Sequence, residues 1–237
     1  NRIVDFVLSN HINSHIYSIY LLVQYKSQSL IEHIRQNWVL SPVVRDHFIA
    51  LVPPQMRMGP EWFQGTADAV FQNANLIRDH NPELVLVFGA DHVYRMDPEQ
   101  MIQAHIASGA TVTVAGLRMP KSMSSEFGVI QTAPDGRKIT NFLEKPVDPP
   151  TIPGDDAHCY VSMGNYVFTT AGLLETLRAD AADPASVHDM GGNIIPMLTA
   201  QGEAQVYDFD ENVVPGATDR DRGYWRDVGS LDSYHDA

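Results

Sequence analysis

The sequence predicts an α/β fold, with a mostly parallel sheet first and a mixed β region inserted or appended after it. Three observations carry this. Leu84 to Phe88 (LVLVF) is an apolar run with no polar break, the pattern of a strand covered on both faces. A helical segment and a second β-rich run, Thr111 to Leu117, follow it in the order of a βαβ unit with a right-handed crossover. In the second half the texture changes to short β-rich runs around turn residues.

Taken in order, Tyr17 to Val23 reads as a strand, and Ser27 to Asn37 as a helix with Leu30, Ile31 and Ile34 at helical spacing. Thr66 to Arg78 is amphipathic, with Ala67, Val70, Phe71, Ala74 and Ile77 near one face. After the strand at Leu84 to Phe88, Asp97-Pro98 opens a helix as N-cap and first residue, and Gly109 closes it. Val129 to Thr132 and Lys138 to Phe142 flank Pro134-Asp135-Gly136, which signals a hairpin. Val147 to Gly154 is a proline-rich loop, Val161 to Phe168 a strand, and Ala171 to Arg178 and Asn193 to Ala200 short helices. Leu231 onward reads as a helix start behind a Ser230 cap.

Composition narrows the function classes. A chain of 237 residues buries roughly 70% of its unfolded surface, enough for a substantial core. With 44% hydrophobic and 19% charged residues it is not a disordered chain. A single cysteine, Cys159, excludes an internal disulfide. A net charge of -13 argues against a nucleic-acid partner, which needs a basic footprint. No apolar run reaches the ~20 residues of a membrane span, and no signal peptide is read.

Four segments could carry chemistry. Asp91 follows the apolar strand, where open α/β sheets bind ligands, and a carboxylate there suits Mg²⁺. On spacing alone a turn aspartate is the better reading. Gly65-Thr66 leads into a helix whose free N–H groups could meet an anion or a base edge, or Thr66 could simply cap it; the two readings weigh equally. Glu144-Lys145-Pro146 offers a carboxylate for sugar hydroxyls and an ammonium for a phosphate, against an exposed ion pair at a strand end. Trp225 to Gly229 offers a second carboxylate, Asp227, beside an aromatic, or a loop with a half-buried tryptophan. His11, His15, His33, His47 and His80 show no ligand spacing and read as surface or satisfied core histidines; His92 differs in adjoining Asp91. Asp219 to Arg222 reads as a solvated face, and Met96, Met101, Met119 and Met123 as core or filler. There is no zinc-type cluster, G-x-S-x-G elbow or Walker A loop.

The segments in combination are more specific than any one alone. RIVDFVLSN at the start, QYKSQSL, WFQGTADAV, GADHVYRMD, FLEKP, SMGNYVF, HDMGGNIIP and YWRDVGSLDSY, in this order, resemble the glucose-1-phosphate adenylyltransferases over essentially the whole chain. The resemblance implies a Rossmann-like nucleotidyltransferase catalytic domain over residues 1–237, of the sugar-nucleotide pyrophosphorylase type. It implies ATP and glucose 1-phosphate as substrates, ADP-glucose and pyrophosphate as products, a place in glycogen or starch synthesis, a cytoplasmic setting and a homotetramer. Matched motif by motif, Asp91 and Asp227 would hold Mg²⁺, and Lys145 would bind the sugar phosphate. Glu144, Ser162, Gly164 and Asp189 would line the glucose pocket. Gln55, Gly65 and Thr66 would approach the adenine and ribose, and Tyr25 and Trp225 would shape the site.

Ala90 stands where the family has Gly before the metal aspartate, and His15 where a Gly is usual. The family also carries a glycine-rich triphosphate loop upstream and a β-helix downstream, so the resemblance makes this chain an internal piece and predicts that residues 1–237 alone are impaired. A regulatory paralogue that only binds sugar nucleotides, and a pyrophosphorylase using UTP or dTTP, are the alternatives. The retained Asp91, Lys145 and Asp227 speak against the first, and GTADAV with YWRDVG against the second.

Overall fold

The computed structural model describes residues 2–41, 43–44, 46–55, 62–218, 220–229 and 231–236. Helix α1 (Ile3–Asn13) precedes β1 (Ser18–Leu22), α2 (Ser27–Asn37) and β2 (Phe48–Val52). The predicted helix at 66–78 is two helices, α3 (Thr66–Gln72) and α4 (Ala74–His80). Asn73 divides them, its side-chain amide donating back to the Ala69 carbonyl at 2.8 Å in competition with the helix ladder. Then come β3 (Leu84–Phe88), β4 (His92–Tyr94), α5 (Pro98–Ser108) and β5 (Val112–Pro120). The Asp97 carboxylate accepts from the Glu99 N–H, Pro98 sits in the first turn, and Gly109 ends α5 at φ 66°, as the sequence predicts.

The second half holds β6 (Gly128–Thr132), β7 (Ile139–Glu144), β8 (His158–Thr169), α6 (Thr170–Ala181), a π-helical turn at Met190–Ile194, α7 (Ile195–Ala200), β9 (Ala204–Asp208), β10 (Trp225–Asp227) and α8 (Leu231–Asp236). The hairpin turn forms where Pro134-Asp135-Gly136 places it, with Gly136 at φ 69°. The Asp135 side chain accepts from the Arg137 and Lys138 N–H groups. Ser230 lies outside the described residues.

One six-stranded sheet dominates, in the order β7-β6-β8-β5-β9, with β3 on β8. β3 and β5 both oppose β8 and so run in one direction, as a βαβ unit requires, and β9 runs parallel to β5, but the sheet is not mostly parallel as the sequence predicts. β3 and β5 do not pair with each other, because the C-terminal half of β8 lies between them, from Tyr166 to Phe168. Four of the five pairings in this sheet are antiparallel, and the α/β fold is built on a mixed sheet. A separate parallel pair joins β1 and β2.

The strand β8 feeds both faces of the sheet. Tyr160, Tyr166 and Phe168 enter a core with α3, α6 and α7, whereas Val161, Met163 and Val167 enter the opposite core with α1 and α5. β3 alternates in the same way, Val85 and Val87 against the first core and Leu84, Leu86 and Phe88 against the second. Its residues are only partly buried, because a cavity touches every one of them, along the strand edge. Met96 and Met101 are core residues as read from the sequence; Met123 is a surface residue, 57% exposed.

Candidate active site

The pairing of two three-residue strands builds the centre of the site. Asp91 lies in the turn after β3, and β4 follows at once. β10 pairs antiparallel with β4, setting Asp227 opposite His92 and Trp225 opposite Tyr94. The Val228 N–H donates to the Asp91 carbonyl at 3.3 Å and closes the ribbon end. One ligand atom from each of Asp91, His92 and Asp227 lies within 4.8 Å of the others. Both carboxylates are exposed, so oxygen donors face an approaching ligand. Hard, exposed, paired carboxylates are the donor set for a divalent cation that keeps water and phosphate in its remaining positions. The donors therefore fit such an ion.

His92 is held behind this pair. Its Nε2 lies 3.3 Å from the Asp91 carboxylate and its ring 4.9 Å from that of Trp225. Burial lowers its pKa; Asp91 and Asp227 pull the other way but do not win. A Cβ at Gly89 would come within 2.8 Å of the imidazole, so the glycine before Ala90 is the room in which His92 sits. His92 Nδ1 and Trp225 Nε1 are buried with no hydrogen-bond partner among the described residues.

A second group comes from β7, β8 and the turn before α7. Glu144 ends β7, and Lys145 follows with φ 46°, its N–H bonded to the Phe127 carbonyl. The Lys145 ammonium and the Glu144 carboxylate are 4.0 Å apart and both more than half exposed, so each is open to a ligand. In β8, Gly164 takes φ 70° and its N–H donates to Ser162 Oγ at 3.2 Å. Asp189 accepts the Gly192 N–H on one oxygen and the Thr66 hydroxyl on the other. Tyr166 lies beneath them: burial pushes its phenol up to about 12, and the Asp189 and Glu144 charges add to that. The sequence reading did not single out Tyr166, although it stands inside SMGNYVF.

One cavity of about 1140 Å³ collects Thr66, Asp91, Glu144, Ser162, Gly164, Asp189, Trp225 and Asp227, with Tyr166 and His92. Lys145 neighbours it through Glu144, and Gly65 through Thr66. Tyr25 is 77% exposed with Lys26 over its ring, and Gln55 donates to its own neighbour Pro53; neither lines the cavity. The first turn of α3 does not present the free N–H groups expected of it. The His188 carbonyl accepts from Ala67 N–H at 2.8 Å and from Asp68 N–H at 3.3 Å. Nor is Thr66 a cap: Gly65 is the N-cap, and the Thr66 hydroxyl is taken by Asp189 and the Met190 N–H.

A nucleotidyl transferase family model matches residues 1–237. The chain belongs to the nucleotidyl transferase family. Relatives called glucose-1-phosphate adenylyltransferase are 60% identical in Parafrankia sp., 58% in Streptomyces coelicolor and 57% in Mycolicibacterium smegmatis, each over 236 residues and 100% of this chain. The chain spans 57%, 59% and 58% of the lengths of these three relatives. In this nucleotidyl transferase chain, then, the α/β scaffold puts a pair of exposed carboxylates and the polar side chains of Glu144, Ser162 and Asp189 on one cavity. No helix among the described residues is long and apolar enough to cross a membrane.

Proposed function

We propose that the protein transfers the adenylyl group of ATP to α-D-glucose 1-phosphate, giving ADP-glucose and pyrophosphate for glycogen or starch synthesis, with residues 1–237 as nucleotidyltransferase catalytic domain. The observation that carries the reading is the meeting of Asp91 and Asp227 beside Glu144, Ser162 and Asp189 on one cavity, in a chain 60% identical to a glucose-1-phosphate adenylyltransferase.

In the reaction a sugar-phosphate oxygen attacks the α-phosphorus. The new O–P bond forms as the bond to the bridging oxygen breaks, and pyrophosphate takes the electron pair. Such transfers depend on positioning and charge neutralisation. Lys145 sets its ammonium against the phosphate of glucose 1-phosphate. Glu144 and Asp189 accept from sugar hydroxyls, and Ser162 either donates or accepts. Gly164, at φ 70°, gives the sugar close approach to the backbone. Trp225 walls the site and shields His92. Asp91 and Asp227 would hold Mg²⁺, which when bound neutralises charge on the reacting phosphates. Gly65 and Thr66 border the nucleotide; Gln55 and Tyr25, which lie outside the cavity, are assigned to the site by resemblance alone. The resemblance further supports a homotetramer in the cytoplasm, which light scattering on the purified protein tests.

The deciding assay offers the whole protein, with residues 1–237 in their full-length context, glucose 1-phosphate with ATP, UTP, dTTP and GTP in turn, with Mg²⁺. Turnover confined to ATP is expected. Preference for UTP or dTTP overturns the base assignment, and no turnover with any of the four overturns the reaction. Chelation is expected to abolish turnover, and added Mg²⁺ to restore it.

A further inference from the structure

The loop before the π-helical turn carries a hydrogen-bonded cluster that the reaction above does not use. Asp180, near the end of α6, is 3% exposed. One of its carboxylate oxygens accepts from the Ser186 hydroxyl at 2.6 Å and the other lies 2.8 Å from His188 Nδ1. Ser186 Oγ in turn accepts the His188 N–H at 2.9 Å. His188 is therefore gripped at ring and backbone from behind. Its backbone takes φ 56°, a left-handed conformation that a residue with a Cβ adopts only when its surroundings impose it.

That conformation has two results. It aims the His188 carbonyl at the first turn of α3, where it accepts from Ala67 and Asp68. It also delivers the next residue, Asp189, to the Thr66 hydroxyl at 2.8 Å. The fit leaves no slack, since a Cβ on residue 65 would collide with the His188 carbonyl oxygen. The segment assigned to the nucleotide and the residue assigned to the sugar are thus parts of one joint, and its anchor is a buried carboxylate.

We propose that Asp180 is a positioning residue: acting through His188 and Ser186, it locks the Gly65–Thr66 segment and Asp189 into one unit, so that both substrates are held by a single preorganised joint. This rests on the functional reading given above. Preorganised geometry lowers the cost of binding, and a buried carboxylate held on both oxygens is a firm anchor for it.

The test compares Asp180→Ala and Asp180→Asn in the whole protein. Loss of a charged hydrogen-bond anchor is expected to raise KM about tenfold for both ATP and glucose 1-phosphate in D180A, with kcat changing by less than about threefold. D180N keeps an acceptor for the His188 ring N–H and an amide that donates to Ser186 Oγ, and it is expected to recover most of both KM values. Gly65→Ala breaks the same joint from its other side and should raise KM for glucose 1-phosphate, a substrate residue 65 is not assigned to. A merely structural role would lower the melting temperature and leave both KM values unchanged, and that result overturns the proposal.

Amide exchange of Ala67 and Asp68 reads the joint without turnover. Faster exchange in D180A supports it, and wild-type protection at both amides overturns it even if D180A folds poorly. If the wild-type protein uses none of the triphosphates, the functional reading fails, while faster exchange at these amides in D180A still establishes the joint.

Discussion

His15 shows how one substitution registers in the backbone. It occupies a position where the resembling family has glycine, and its φ is 61°. The ring is exposed; it meets the Tyr17 hydroxyl at 2.9 Å and the Tyr17 ring, and its charge acts on Asp97, contacts too weak to offset the left-handed conformation. His15→Gly is expected to stabilise the fold by about 1 kcal/mol, a few degrees of melting temperature. The same substitution leaving the melting temperature unchanged or lower would show that the ring contact outweighs the strain. Asp91 makes the opposite kind of case. It is exposed and carries none of the core, so Asp91→Ala should leave the melting curve intact while lowering turnover at least about 100-fold. Steady-state kinetics and calorimetry on one preparation check both halves. The role proposed for Asp91 was not legible from its own surroundings in sequence, where a turn aspartate was the better reading. What singles it out is Asp227, brought across by β10, and no local pattern announces a partner 136 positions away (227 − 91).

Elements were legible in proportion to their length and punctuation. α2, β3 and α5 lie where the sequence predicts them, because periodicity, an unbroken apolar run and a Pro–Gly bracket each mark them. β4 and β10 were missed because three residues cannot display a period, and the pairing that makes them strands is tertiary. The α1 segment IVDFVLSNHIN was not singled out as a helix, although Val4, Val7, Leu8 and His11, all buried, stand at the i, i+3, i+4, i+7 spacing of one helix face. The insertion of β8 between β3 and β5 was equally out of reach, since a strand that arrives late in the chain leaves no mark on the two it separates. β5 pays for that neighbour with an irregularity between Val114 and Gly116. A Cβ at 116 would lie 2.6 Å from Val206 Cγ2, a stiff side chain on β9. Gly116→Ala is therefore expected to cost about 1–3 kcal/mol, seen as a lower urea midpoint with an unchanged slope.

For the whole molecule, buried imidazoles make stability fall in acid, and besides His92 at the site two of them lie elsewhere in the fold. His11, with a ring nitrogen 2.7 Å from the Val7 carbonyl, and His105, bonded to Thr113 Oγ1, both have pKa values lowered by burial. The unfolded chain binds protons at these sites below about pH 6.5 and the folded chain resists them, so unfolding free energy rises with pH across that range. The melting temperature should fall as pH drops from about 6.5 toward 5, before the carboxylates, whose ordinary values lie near 4, begin to titrate. His105→Asn should flatten part of that fall; an unchanged profile would assign the acid sensitivity elsewhere.

The ribbon of β4 and β10 also bears on when the protein becomes competent. A ribosome has released Asp91 long before it adds Asp227, and by then every strand of the large sheet has been made. Closing so wide a loop costs little more entropy than closing one half its size, about 0.6 kcal/mol per doubling. The obstacle is order of arrival. A nascent chain that stops short of Trp225 has Glu144 and Ser162 but lacks Asp227, the carboxylate that β10 sets beside Asp91. The two carboxylates that face one cavity are thereby brought together only once β10, the last strand among the described residues, has been made.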